Sequence, residues 1–458
     1  MEHVPSAAEM LGWIETVVGQ GVRRPGYPAD AWTERWLAER LSEFGLEVTL
    51  EPVEVPRWQP GTGLLRLDDG TSWTGLPLPH TAPTGGLRGR IARLADARPG
   101  DIVVDEVTFS ELPQSYVKTL ATSAYDPEGV FDTLVQTIPF GPRMMEVVEP
   151  ALAAGAAGFV GALTGLPWET RDYYVPYDAV ERPIPALWLS GTDARRLLAR
   201  LPCEGELIAE SATDTVITHN VIATLPGSSP HTVIVASHHD APWASAVEDA
   251  SGLALVLATA RHWARVPAEE RPHNLTFLLT SGHMAHAAGT RAFIDRHRPE
   301  LAGVVLQLHL EHAALRCEAV DGTLVPTAEP EVRWWFTTRA PQLERLVAAT
   351  LEAEDLRRSF VLPPDVFSPM PPTDGAFFHP EGVPLVHFLS APMYLFDSAD
   401  TIDKIDVAGL EPLARAAVRI VAGTAGWTPA DLRATGSGWR RPADHGHAGG
   451  QRPNAART

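Results

Sequence analysis

From Thr215 to Ala422 the chain alternates strand-length apolar runs with helix-length stretches, a pattern that few folds accommodate. Strands are expected over 215–225, 232–236, 274–280, 303–310, 333–338 and 383–389, and helices over 252–265, 289–298, 341–354 and 407–422. Strands separated by helices of this length need crossover connections. These build a mostly parallel sheet with helices on both faces, so the predicted class is α/β.

In open α/β sheets, ligands gather beyond the carboxyl ends of the strands. His238 and Asp240 follow the strand ending at Ala236, and His283 follows the one ending at Thr280. His309, Glu311 and His312 close the strand that starts at Gly303, and Asp374 and Asp400 flank the last strand. Separate strand ends that deliver imidazoles and carboxylates to one rim are a stronger signal than any one residue.

The first half reads differently. Helical spacing runs from Ala7 to Val18 and from Ala29 to Phe44, where Trp32, Trp36, Leu37 and Leu41 recur at three- and four-residue steps before Gly45. A strand over 47–53 leads into a segment dense in proline and glycine, 56–89. Beyond it come a short strand at Ile102-Val103-Val104, a helix from Met144 to Ala154, a glycine-punctuated turn and buried strand over 154–161, a strand over 183–190, and a helix from Thr192 to Leu201. The expected division is a main α/β domain over 1–83 plus 216–428, a β-rich insert over 84–215, and a disordered tail over 436–458, where periodicity is lost.

At 458 residues the chain can bury a sizeable core. Its net charge of −20, with no basic stripe, argues against nucleic acid as a partner. The absence of any run of about 18 apolar residues argues against a membrane span, and no secretory leader is evident at Met1-Glu2-His3, so the expected address is the cytoplasm. Lys118 and Lys404 are the only lysines, a bias that points to a GC-rich, actinobacterium-like genome rather than to a function. Cys203 and Cys317 are read as free thiols.

The order and spacing of Ser237-His238-His239-Asp240, Val247-Glu248-Asp249-Ala250-Ser251-Gly252, Ser281-Gly282-His283-Met284, His309-Leu310-Glu311-His312 and Leu395-Phe396-Asp397-Ser398-Ala399-Asp400-Thr401 resemble the zinc-dependent aminopeptidase family. That family includes bacterial leucyl aminopeptidases and aminopeptidase Y, with glutamate carboxypeptidase, the transferrin receptor and glutaminyl cyclase as wider relatives. The stretch from Gly21 to Gly26 into the helix with Trp32 and Trp36 resembles the family's N-terminal part. Residues of about 84–215 resemble a protease-associated domain.

The resemblance implies two zinc ions, yet most of the ligands differ. For the first ion it implies His238 as ligand, with Asp240 orienting its ring, Glu248 in place of a bridging aspartate, and Glu311 in place of a third carboxylate. One imidazole and two carboxylates form a reasonable set with an open position. The second ion's ligands fall at Met284 and Phe396, which are poor zinc ligands and are read as packing. The family's catalytic glutamate falls at His283, which could act as base or as a further ligand. Asp249 and His312 are further possible ligands, although His312, like His239, His286 and His309, is read first as structural or as supporting a ligand. Tyr173, Tyr174, Tyr177 and Trp243 could close over the pocket or simply pack.

The expectation is one divalent metal, with zinc foremost, and a small-molecule or peptide substrate. The leading reading is a divergent metalloenzyme acting on an amide, peptide or aminoacyl compound, with His283 and Asp240 in the catalytic set. A catalytically inactive binding protein and an ordinary zinc aminopeptidase are the alternatives. The sequence leaves the oligomeric state open.

Overall fold

The computed structural model of the chain describes residues 2–139 and 144–433. The tail expected over 436–458 lies outside the described residues. A large mixed sheet runs through the molecule, with helices on both faces, in agreement with the predicted α/β class. One half of it is ordered Cys203–Leu225, Asn274–Thr280, Thr232–His238, Val304–Leu310, Leu385–Ser390, Arg333–Thr337 and Ser359–Leu362. The Thr232–His238 strand is parallel to both of its neighbours, and Val304–Leu310 is parallel to Leu385–Ser390.

Alternation along Thr232–His238 shows how both faces are covered. Val233 and Val235 join the main core cluster, which also holds the helices Ala7–Val18, Gly252–Ala264 and Val407–Gly423. Ile234 and Ala236 point the other way, onto Phe293 and Ile294 of the helix Ala288–His297. The chain leaves Thr232–His238 for one neighbour and then for the other. This makes its carboxyl end the switch point at which open sheets form ligand crevices. Gly252 starts its helix hard against that end, where a Cβ would collide with the Leu310 carbonyl and the Asp249 carboxylate.

Some elements differ from expectation. The strand expected over 47–53 runs as Glu47–Leu67 and pairs antiparallel with Cys203–Leu225, shifting register between Pro60 and Gly63. Pro52, Pro56 and Pro60 obscured it in the sequence. The helix expected from Met144 to Ala154 shrinks to a turn at Met144–Glu146 and a helix at Glu149–Ala153, because Pro150 can sit only in a first turn. The expected boundary at 215/216 falls inside the Cys203–Leu225 strand. That strand pairs with Thr84–Arg93 near one end and with Asn274–Thr280 near the other, so one strand serves both parts of the sheet. No helix among the described residues is long and apolar enough to cross a membrane.

Candidate metal centre

The switch point gathers a buried cluster of imidazoles and carboxylates. His238 ends its strand fully buried, with Nδ1 2.9 Å from the Asp240 carbonyl oxygen. That contact places a proton on Nδ1 and turns Nε2 toward the cluster. Nε2 lies 3.3 Å from Glu248 Oε1 and 3.7 Å from Glu311 Oε1, and has no hydrogen-bond partner. The ring is thus held by the Asp240 main chain rather than by its carboxylate, as the sequence had suggested. The Asp240 side chain instead accepts from the backbone N–H groups of His283 at 2.9 Å and Met284 at 2.8 Å, and so fixes the next loop.

His312 mirrors His238. Its Nδ1 is 2.8 Å from the Ser390 carbonyl oxygen, and its Nε2 approaches Glu248 Oε2 at 2.6 Å and Glu311 Oε2 at 3.6 Å. His309 lies on the far side of Glu311, with Nε2 2.6 Å from Oε1 and Nδ1 3.1 Å from Gln307 Nε2. Asp249 is otherwise committed: one oxygen bonds the Ser237 hydroxyl, and the other accepts from the backbone N–H groups of Gly252 and His312.

Glu248 sits in a loop clamped from both ends of the chain. Asp400 accepts from the backbone N–H groups of Ala246, Val247 and Glu248 at 2.8–3.2 Å. The buried Arg23 guanidinium donates to the carbonyl oxygens of Ala244, Ser245 and Glu248. Neither role was read from the sequence; the Gly21–Gly26 segment was noted only as part of a resemblance.

His283 stacks on His238, with ring centroids 4.0 Å apart and planes 9° from parallel. Its Nδ1 lies 2.6 Å from Asp374 Oδ1, and its Nε2 faces Glu248 Oε1 at 3.7 Å. The other Asp374 oxygen accepts from the hydroxyls of Thr280 at 3.0 Å and Thr290 at 2.6 Å. Sequence reading placed Asp374 beside the last strand but missed its pairing with His283, which joins residues 91 positions apart.

Electrostatics follow from this crowding. Burial alone would lower His238, but Glu248, Asp249 and Glu311 outweigh it and raise its pKa. Burial would lower His312 too, yet Glu248 lifts it to about 9. Burial would raise Glu248, but His312 and His238 hold it down near about 2. Burial pushes Asp249 above the usual carboxylate range, with only partial relief from His238. Burial and the His238 ring disfavour a charged His283; the Asp374 carboxylate outweighs both and raises it.

Met284 and Phe396 are 1% and 2% exposed. Phe396 packs against Tyr177 with centroids 5.1 Å apart, and Tyr177 lies 5.4 Å from the His283 ring. Backbone bonds from Tyr174 N–H to the Phe396 carbonyl and from His286 N–H to the Tyr177 carbonyl hold this aromatic segment over the site. Trp243 adds a bond from its indole N–H to the Phe396 carbonyl. Met284→Ala is expected to cost about 2–5 kcal/mol of stability through the cavity it leaves, with metal content unchanged; denaturant melts paired with elemental analysis check this.

His239 turns away from the cluster. Its Nδ1 meets Asp30 at 2.7 Å and its Nε2 the His219 carbonyl oxygen at 3.0 Å. Burial would lower it, but Asp30 raises it to about 9, above the unfolded value of about 6.5. The stabilisation is therefore complete below about pH 6.5 and lost as pH climbs through about 9. The gap in unfolding free energy between wild type and His239→Gln should shrink across that window.

The cluster's donors are of the kind that could hold a metal ion. His238 Nε2, both Glu248 oxygens, Glu311 Oε2 and His312 Nε2 are buried, lack hydrogen-bond partners and face one another. The Met284 and Phe396 side chains offer no comparable donors for a second ion.

Residues 220–421 match the model of Peptidase family M28. Residues 220–421, under half of the chain, are thus similar to a peptidase M28 domain. The whole chain is also similar in structure to BSAP, a zinc aminopeptidase from Bacillus subtilis, at a TM-score of 0.65 and 16% identity, covering 93% of this chain and 96% of that one. A peptidase M28 precursor from Shewanella amazonensis SB2B aligns at 0.63 and 20% identity over 92% of each chain. An aminopeptidase from Aneurinibacillus sp. strain AM-1 aligns at 0.59 and 16% identity over 93% of this chain and 94% of that one. No curated protein matches the sequence. At these identities the structural likeness defines the fold. The matched region holds the switch-point cluster from His238 to Asp400, while the Arg23 clamp comes from outside it.

Proposed function

We propose that the chain is a peptidase-like hydrolase that uses one divalent metal, zinc foremost, and acts on an amide, peptide or aminoacyl bond. The observation that carries this reading is the set of orphaned, buried donor atoms of His238, Glu248 and Glu311 beside the His283–Asp374 pair. His238, Glu248 and Glu311 would hold the metal. When bound there, it supplies Lewis acidity to polarise a carbonyl and acidify water.

The chain's own residues divide the remaining tasks. Asp374 accepts from His283 Nδ1–H, which fixes the tautomer and leaves the Nε2 lone pair facing the Glu248 side of the site. His283 Nε2 takes the proton of the attacking water and returns it to the leaving amine. Thr280 and Thr290 keep the Asp374 carboxylate in place, and the Asp240 carboxylate keeps the His283 loop in place. The aromatic segment with Tyr177, carried by the stretch resembling a protease-associated insert, covers the site and limits water. No partner other than substrate is invoked, and the cytoplasm remains the proposed address.

Elemental analysis of protein purified without chelator should give about one divalent ion per chain. Two tightly held ions would restore the ordinary zinc aminopeptidase, and so would efficient release of N-terminal residues from unblocked peptides. Protein that stays metal-free after zinc soaking would favour the binding-protein reading.

A further inference from the structure

We infer that His312 is a second imidazole ligand, so that the metal is held by a two-histidine, one-carboxylate set of His238, His312 and Glu248, with Glu311 beside it. This rests on the one-metal reading and changes its ligand chemistry. The resemblance to aminopeptidases assigns no ligand at this position.

The tautomers carry the argument. Each ring gives its Nδ1–H to a backbone carbonyl, that of Asp240 for His238 and that of Ser390 for His312. Each therefore turns Nε2 into the cluster, where a bound cation would take the place of any proton, and the two converge on opposite oxygens of one carboxylate, Glu248 Oε1 and Oε2. Pinning the remote ring nitrogen to a carbonyl is how proteins orient a ligating imidazole. Both Nε2 atoms are buried without a hydrogen-bond partner, and so are both Glu248 oxygens.

The backbone gives an independent sign. His312 has φ 55°, in the left-handed region that non-glycine residues occupy at some cost. That conformation lies two residues past the end of the strand Val304–Leu310, where the His312 N–H reaches the Asp249 carboxylate and its ring reaches Glu248. His309, by contrast, spends its Nε2–H on Glu311 and offers no lone pair there. The set therefore has more imidazole than two carboxylates and one histidine would provide. It should prefer Zn2+, Co2+ or Fe2+ to the oxygen-seeking Mg2+ and Ca2+.

The test uses the intact chain loaded with one metal at a time. X-ray absorption of the zinc form should show scattering from two imidazoles. Equilibrium dialysis should show His312→Ala binding Zn2+ on the order of 10³-fold more weakly than wild type, beyond the about 10–100-fold that loss of an outer partner costs. Cobalt-loaded wild type should show visible d–d bands that His312→Ala lacks. A single imidazole in the zinc spectrum, or undiminished affinity in His312→Ala, would overturn the inference and leave His312 as an imidazolium paired with Glu248, with the one-metal reading intact. Wild type that binds neither Zn2+ nor Co2+ would overturn both. If His312→Ala does not fold, the wild-type zinc spectrum decides the matter alone.

Discussion

His238→Ala is expected to abolish metal binding and, with it, turnover. The ring is wholly buried, its Nδ1 is tied to a carbonyl, and its Nε2 faces Glu248 and Glu311 without a hydrogen-bond partner, so beyond its stacking on His283 its contacts are those of the cluster. Elemental analysis and zinc dialysis read the loss directly. The folded state should survive, because removing the imidazole leaves the Asp240 bonds to His283 and Met284 untouched. Glu311→Ala should weaken zinc less completely. A His238→Ala protein that keeps its metal while Met284→Ala loses it would sink the assignment of the site.

His283→Ala is expected to lower turnover by roughly 10²–10⁴-fold while metal content stays near that of wild type. If His283 were a ligand instead, metal and activity would fall together. Asp374 sharpens the distinction. The rate should rise with pH as the His283 imidazolium loses its proton, on a limb set above the unperturbed value of about 6.5 by the Asp374 carboxylate. In Asp374→Asn the imidazolium loses that support, so its pKa falls and the limb moves to lower pH. An unchanged limb in Asp374→Asn would remove His283 from the role of base.

Much of this was legible before the fold was known. The strands over 274–280, 304–310 and 232–238 announce themselves as apolar runs, and the rule that sites lie at carboxyl ends then collects His238, His283, Glu311 and His312 on one rim. Periodicity cannot say which ring nitrogen points where. The separate fates of His239, His309 and His312 depend on carbonyl partners at His219, on Gln307 and Glu311, and on Ser390, and no local pattern encodes those contacts. The Asp374–His283 pair was hidden for the same reason. The long Glu47–Leu67 strand was hidden by its prolines, which suit a ribbon whose opposite edge stays largely unpaired.

The clamp on Glu248 sets the order in which the protein can come alive. Residue 23 grips the carbonyl side of the 244–248 loop and residue 400 grips its amide side, so the carboxylate is aimed only when both ends of the chain have docked. A nascent chain released early, or one clipped within its first thirty residues, would keep every proposed ligand and still present them at the wrong angle. Arg23→Ala in the intact chain should therefore weaken cation capture although every proposed ligand is still present.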